Sequence, residues 1–211
     1  KLLLLKKNLR DGLITIERAV AEHNTLPILR SIILKTLNGK IVLQATNLEL
    51  AITTSILGKI IEDGGLSIPF TAFHNIVSAI PSERISLEVS ENILRITTDN
   101  YTATIQGASL QDFPIIPQIE NAERCISLRG EILRDALNQV VPAAQFSELH
   151  PELSGLSFAF QLTSLKIVAT DSFRLAEKTL FDTQFTSKLQ ESLKFIVPLK
   201  TIHEIIRIFT G

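Results

Sequence analysis

A chain of 211 residues with 45% apolar and 20% charged side chains is ordinary globular material, long enough for one or two cores. Its formal net charge of −1 excludes a global pull toward nucleic acid or an anionic membrane, so any nucleic-acid contact must come from a local basic stripe. The single cysteine, Cys125, excludes an internal disulfide framework and suits a reducing cytoplasm, and no apolar run approaches the roughly 20 residues that cross a bilayer.

Leu2 to Lys6 reads as a short strand and Leu9 to Ala21 as a helix, with Leu9, Leu13, Ile16 and Val20 on one face and Arg10, Glu17 and Arg18 pointing elsewhere. Ile32 to Leu37 and Lys40 to Ala45 form a hairpin around Asn38-Gly39, because both turn positions of that dipeptide tolerate φ > 0. Leu48 to Leu57 continues as a strand, Asp63-Gly64-Gly65 turns the chain, and Leu66 to Pro69 is a further short strand. Pro69 opens a second helix, Phe70 to Ile80, with Phe73, Ile76, Val77 and Ile80 inward. Arg84 to Val89, Ile93 to Thr98 and Tyr101 to Gly107 alternate as a three-strand meander. The proline-punctuated stretch from Gln111 to Pro117 reads as a link, which places one domain over residues 1–120 and another over 121–211.

The second domain repeats the plan. Arg124 to Leu128 is a strand, Glu131 to Val141 a helix with Leu133, Ala136, Leu137 and Val140 inward. Leu156 to Gln161, Leu165 to Ala169, Arg174 to Leu180 and Leu193 to Val197 are strands, and Pro198 leads into a last helix, Lys200 to Phe209. The repetition is visible in the residues. Leu9-Arg10-Asp11-Gly12-Leu13 recurs as Leu133-Arg134-Asp135-Ala136-Leu137, and Ala45-Thr46-Asn47-Leu48-Glu49-Leu50-Ala51 as Ala169-Thr170-Asp171-Ser172-Phe173-Arg174-Leu175-Ala176, both 124 residues on. Ile68-Pro69 returns as Val197-Pro198, 129 residues on. Three echoes in one order indicate a duplicated domain. The expected fold is therefore α+β, tandem domains each with two helices packed on antiparallel sheets. After the last helix the repeat calls for about 35 further residues of meander, so the second domain reads as incomplete and the chain as a fragment or truncated form.

Thr25-Leu26-Pro27-Ile28-Leu29, Ala45-Thr46-Asn47-Leu48-Glu49, Asp112-Phe113-Pro114, Ala169-Thr170-Asp171-Ser172-Phe173-Arg174-Leu175-Ala176 and Ile196-Val197-Pro198-Leu199-Lys200, in this order, resemble the bacterial sliding clamp, the beta subunit of DNA polymerase III. The resemblance implies the DNA-clamp fold: three copies of the domain per full-length chain, and two chains closed head to tail as a homodimer ring around duplex DNA. It implies a cytoplasmic processivity factor with no catalysis, cofactor or metal. Its partners would be double-stranded DNA held without regard to sequence, the DNA polymerase III alpha subunit and the clamp loader. A two-domain protein-interaction module of clamp-like domains that never encircles DNA is the alternative.

Two sets of residues could carry that function. In the last helix Lys200, His203 and Arg207 fall at i, i+3 and i+7 on one face, opposite Ile202, Ile205, Ile206 and Phe209, which suits sequence-independent phosphate contacts. The same pattern could equally be a solvated face, with Glu204 beside the stripe. The resemblance places Lys200 at a basic position of the hole and adds Arg10 and His23, the latter where the family often carries an arginine. It also makes Leu153, Thr170, Ser172, Phe173, Arg174 and Leu175 the pocket for a short hydrophobic peptide of partner proteins, with Ser172-Phe173 standing where Gly-His is common. Read as an enzyme, the chain offers little. Its histidines at 23, 74, 150 and 203 lack metal-ligand spacing, Cys125 reads as a buried thiol in a strand, and Asp171 as the acceptor of an Asx turn.

Overall fold

A computed structural model of the chain describes residues 1–21, 26–117, 125–147 and 149–209. The chain divides into two compact units, Lys1–Pro117 and Gln118–Gly211.

In the first unit β1 (Leu2–Leu5) runs directly into α1 (Lys6–Glu17). The helix starts three residues earlier and ends four residues earlier than its apolar periodicity suggests. No side chain caps its start. Instead the Lys6 amide donates to the Glu83 carbonyl at 2.7 Å, and the Lys6 ammonium donates to the Ser78 carbonyl at 3.1 Å and to that of Ile80. One lysine thereby starts α1 and covers the open carbonyls at the end of the second helix. Val20, expected on α1, follows it in a turn, its amide bonded to the Glu17 carbonyl at 3.0 Å.

A 3-10 turn, Pro27–Arg30, leads into β2 (Ser31–Leu37), β3 (Lys40–Thr46), β4 (Ala51–Ile56), β5 (Gly58–Ile60) and β6 (Gly65–Pro69). Asn38 and Gly39 take φ of 51° and 71°, the hairpin turn their types require. Of the chain expected as one strand from Leu48 to Leu57, the start is a turn over 47–50 and β4 is the strand; a separate three-residue β5 follows. After α2 (Phe70–Ala79) come β7 (Arg84–Ser90), β8 (Ile93–Thr97) and β9 (Thr102–Gln106). Two antiparallel sheets result, in the orders β4-β3-β2-β6 and β5-β1-β7-β8-β9. Leu9, Leu13 and Ile16 of α1 and Phe73 and Val77 of α2 share one core with Leu34, Leu43, Ile68, Leu87 and Ile96 of the strands.

The second unit begins with β10 (Ile126–Leu128), shorter than the strand expected from Arg124; Arg124 itself lies outside the described residues, and Cys125 sits half-buried just before the strand. Then follow α3 (Gly130–Val140), a 3-10 turn at Val141–Ala143, another at Pro151–Leu153, and β11 (Gly155–Gln161), β12 (Ser164–Thr170) and β13 (Leu175–Phe181). β14 (Phe185–Ser187), which periodicity did not suggest, precedes β15 (Leu193–Pro198) and α4 (Leu199–Ile208).

The order β13-β12-β11-β15 repeats β4-β3-β2-β6, and the β10–β14 pair repeats β1–β5. Registers repeat too: Ser31 pairs with Pro69 as Gly155 pairs with Pro198, and Thr46 pairs with Ala51 as Thr170 pairs with Leu175. In each unit the two helices touch one another. The α+β duplication read from the residues is thus the architecture of the chain.

One difference follows from the meander of the first unit. There β1 pairs with both β5 and β7, and β6 is bridged on its far side by Ala108, whose carbonyl accepts from Ser67 at 3.0 Å and whose amide donates back at 2.9 Å. Among the described residues of the second unit, β10 pairs only with β14 and β15 only with β11. Leu193, Phe195 and Ile196 of β15 stand exposed.

Candidate functional site

α4 is held by its entry. Pro198, pairing with Gly155, ends β15 with φ −56° and ψ 142°, and the amide of Leu199 donates to the Ser154 carbonyl at 2.9 Å. Pro198 thus turns the chain directly from strand into helix. Gly155 is buried, and a side chain there would stand 2.5 Å from the Val197 carbonyl oxygen, so its lack of one lets β15 lie close to β11. This residue was not singled out from the sequence, because an isolated glycine before an apolar run signals little. From that anchor Ile202 is fully buried, Ile205 and Ile206 pack half-buried against the unit's core, and Lys200, His203 and Arg207 are exposed. Phe209 follows the helix and lies over Gly130 at the start of α3, where a Cβ would come within 2.6 Å of its ring.

The exposed stripe is therefore formed as its spacing suggested, but its charge is tempered. Arg207 Nη1 donates to Glu204 Oε1 at 2.7 Å, and Glu204 is the more buried of the pair. The duplicated helix α2 carries Thr71, His74 and Ser78 where α4 has Lys200, His203 and Arg207, and His74 stacks on Phe70 at 5.4 Å. The charged form of the stripe thus belongs to α4. Arg10 is exposed on α1 of the first unit, 3.9 Å from Asp11. His23 lies outside the described residues.

The peptide-pocket candidates centre on the turn from β12 to β13. Thr170 Oγ1 donates to the Arg174 carbonyl at 2.7 Å and accepts from the Ser172 amide at 3.2 Å. Asp171 Oδ1 accepts from the amides of Phe173 at 3.0 Å and Arg174 at 2.9 Å, and Oδ2 accepts from Arg174 Nε at 3.0 Å. The Arg174 amide foremost, then the Phe173 amide and the Arg174 guanidinium, hold the Asp171 carboxyl below its usual range, against the opposing effect of desolvation. Both oxygens of Asp171 are engaged in the turn, the Asx role its sequence context suggested. Ser172 takes φ 76°, a left-handed conformation that this network over-determines.

The first unit builds the same turn from other residues. Thr46 Oγ1 donates to the Leu50 carbonyl and accepts from the Leu48 amide, both at 3.0 Å; Asn47 Oδ1 accepts from the amides of Glu49 at 3.0 Å and Leu50 at 2.8 Å; Leu48 takes φ 75°. Asn47 and Asp171 present the same acceptor atom, so one backbone geometry serves both sequences.

At the tip Phe173 is 95% exposed and Leu175, the first residue of β13, is 66% exposed. Leu153 is half-buried in the 3-10 turn before β11. Because β11 and β12 are antiparallel with Ser157 opposite Val168, Leu153 lies at the sheet end that also holds the 170–175 turn and the start of α4. The loop before it is closed by Ser154 Oγ, which accepts from the Ser147 amide at 2.8 Å and donates to its carbonyl at 3.0 Å. The arrangement gathers the exposed Phe173 and Leu175 and the half-buried Leu153 at one end of the sheet.

The family model of the DNA polymerase III beta subunit, N-terminal domain, matches residues 1–117, and that of its central domain matches residues 127–211. A beta sliding clamp of Streptococcus pneumoniae serotype 4 is 30% identical over 217 residues, covering 98% of this chain and 56% of the relative. A beta sliding clamp of Chlamydia pneumoniae is 27% identical over 208 residues with the same coverage, 98% and 56%. The crystal structure of a DNA polymerase sliding clamp from Bacillus subtilis shares the fold, with a TM-score of 0.90 at 22% identity over 98% of this chain and 56% of that one. The chain spans about half the length of these relatives. With both family models matched in order along nearly all of its length, the chain belongs to the bacterial beta sliding clamp family, the DNA polymerase III beta subunits.

Proposed function

We propose that this chain forms part of a non-catalytic processivity clamp that encircles duplex DNA and tethers a replicative polymerase. The observation that carries the reading is the exposed Lys200, His203 and Arg207 stripe on a helix whose other side is locked into the core by Ile202. Mobile phosphate contacts from such a stripe, joined by Arg10 and His23, would hold DNA without reading sequence. Closure into a ring would come from a full-length protein pairing with a second copy. The turn with Phe173 and Leu175, together with Leu153, Thr170, Ser172 and Arg174, would receive a short hydrophobic peptide from the polymerase alpha subunit or the clamp loader. The site would lie in the cytoplasm with the replication machinery.

The test is topological. A full-length protein carrying this sequence, loaded by its clamp loader, should stay on nicked circular DNA through gel filtration and be released when the circle is linearised. Lys200→Glu with Arg207→Glu should weaken loading and lower the slope of log affinity against log salt by about 0.9 for each phosphate no longer neutralised. Equal retention on linear and circular DNA would favour the interaction module that never encircles DNA.

A further inference from the structure

The first unit carries a second surface that, apart from Arg10 at its margin, neither the DNA reading nor the peptide pocket uses. Leu2 and Leu4 of β1 point into the core, so Leu3 and Leu5 point away from it, 42% and 49% exposed. Register sets their neighbours. Leu3 stands between Lys59 of β5 and Ser86 of β7, and Leu5 stands beside Arg84, with the 79%-exposed Leu57 just before β5. Leu3, Leu5, Leu57, Lys59 and Arg84 line a hollow of about 380 Å³. A second hollow of about 420 Å³ shares Leu5 and runs between Lys6, Lys7, Arg10, Pro81 and Glu83.

The two hollows adjoin at Leu5, a trough whose exposed apolar residues are Leu3, Leu5 and Leu57, with cations around it. Lys6 is committed to the end of α2. Among the described residues no ion pair engages Lys7, Lys59 or Arg84, and Glu83 is the one acid of the lining. This concentration of cations occurs in a chain whose net charge is −1, so it is a local feature and not a reflection of composition.

We propose that this trough docks an acidic peptide segment of a partner protein, one that lays an aliphatic or aromatic side chain on Leu3, Leu5 and Leu57 and sets carboxylates against Lys7, Lys59 and Arg84. Duplex DNA fits less well, because phosphates gain nothing from three leucines that must leave water. A second copy through the same face is opposed by its own charge, since a two-fold contact would set these cations against each other.

A fluorescein-labelled, N-acetylated peptide of alternating Glu and Leu, seven residues long, titrated by anisotropy, tests the proposal. It should bind saturably, more weakly at 300 mM than at 50 mM salt, and the Lys–Leu counterpart should not. Lys59→Glu with Arg84→Glu, or Leu57→Asp, should each raise Kd by roughly tenfold or more. All three positions are exposed, so unchanged melting curves will verify folding. No saturable binding overturns the proposal. So does binding that these variants do not weaken, or a trough that binds a 20-base-pair duplex and not the peptide.

Discussion

Gly155→Ala tests how the α4 stripe is positioned. A Cβ at this position would stand 2.5 Å from the Val197 carbonyl oxygen, 3.1 Å from its carbonyl carbon and 2.8 Å from Ile196 Cγ2. Two of these atoms are backbone, so no rotamer change relieves the clash and β15 must move outward from β11. Overpacking of this kind costs about 1–3 kcal/mol. The exposed outer side of β15 gives the strand room to yield, which argues for the middle of that range, about 2 kcal/mol. For a domain of this size each kcal/mol shifts Tm by roughly 4–8 °C, so the second unit should melt about 10 °C lower. Hydrogen exchange provides the local assay. The Leu199 amide, bonded to Ser154 across the same junction, and the amides of β15 should exchange faster, while those of β2 and β6 in the first unit should not change. The first unit holds Ser31 at the equivalent place, opposite Pro69, so its pair already accommodates a side chain. Unaltered melting and exchange in Gly155→Ala would refute the claim that this close approach seats α4.

Leu175→Asp should abolish binding of a labelled polymerase-derived hydrophobic peptide to a full-length protein while leaving its melting temperature within about 2 °C, because the side chain is mostly exposed; peptide binding at wild-type strength would remove this turn from the proposed pocket. The depressed Asp171 carboxyl contributes stability that is complete above its unfolded value near 3.8 and is lost as pH falls through the lower folded value. The amide shifts of Phe173 and Arg174 should therefore titrate lower than those beside an ordinary aspartate, and Asp171→Asn should abolish that titration while keeping the turn, as Asn47 does in the first unit. Gly39→Ala, at φ 71° in the hairpin, should cost about 1 kcal/mol in urea unfolding.

Much of this was legible in the residues. The Asn38-Gly39 hairpin and the opening of α2 at Pro69 follow from backbone chemistry, and the duplication is written in echoes whose positions recur as equivalent registers. What escaped periodicity was set by partners at a distance. α1 begins at Lys6 because Glu83, far along the chain, receives its first amide. β5 and β14 are three residues each, too short for a pattern, and exist because β1 and β10 pair with them. Leu48 to Leu50 carries a strand-like composition, yet Thr46 and Asn47 offer the backbone side-chain acceptors that a ladder would have to displace. The α4 stripe was visible as spacing, but its pairing of Arg207 with the more buried Glu204 depends on how deeply the helix sits. The leucine trough of the first unit depends on strands assembled from residues 3, 5, 57 and 84, which no linear window contains.

The two Thr-Asx turns have a further consequence. Their frames are built by the side chains of residues 46 and 47, or 170 and 171, acting on backbone, so the two tip positions contribute almost nothing to the shape. Leu48-Glu49 occupies the tip in one unit and Ser172-Phe173 in the other, on the same scaffold. Such a mount lets selection exchange what the tip displays, by single substitutions, without renegotiating the fold beneath it.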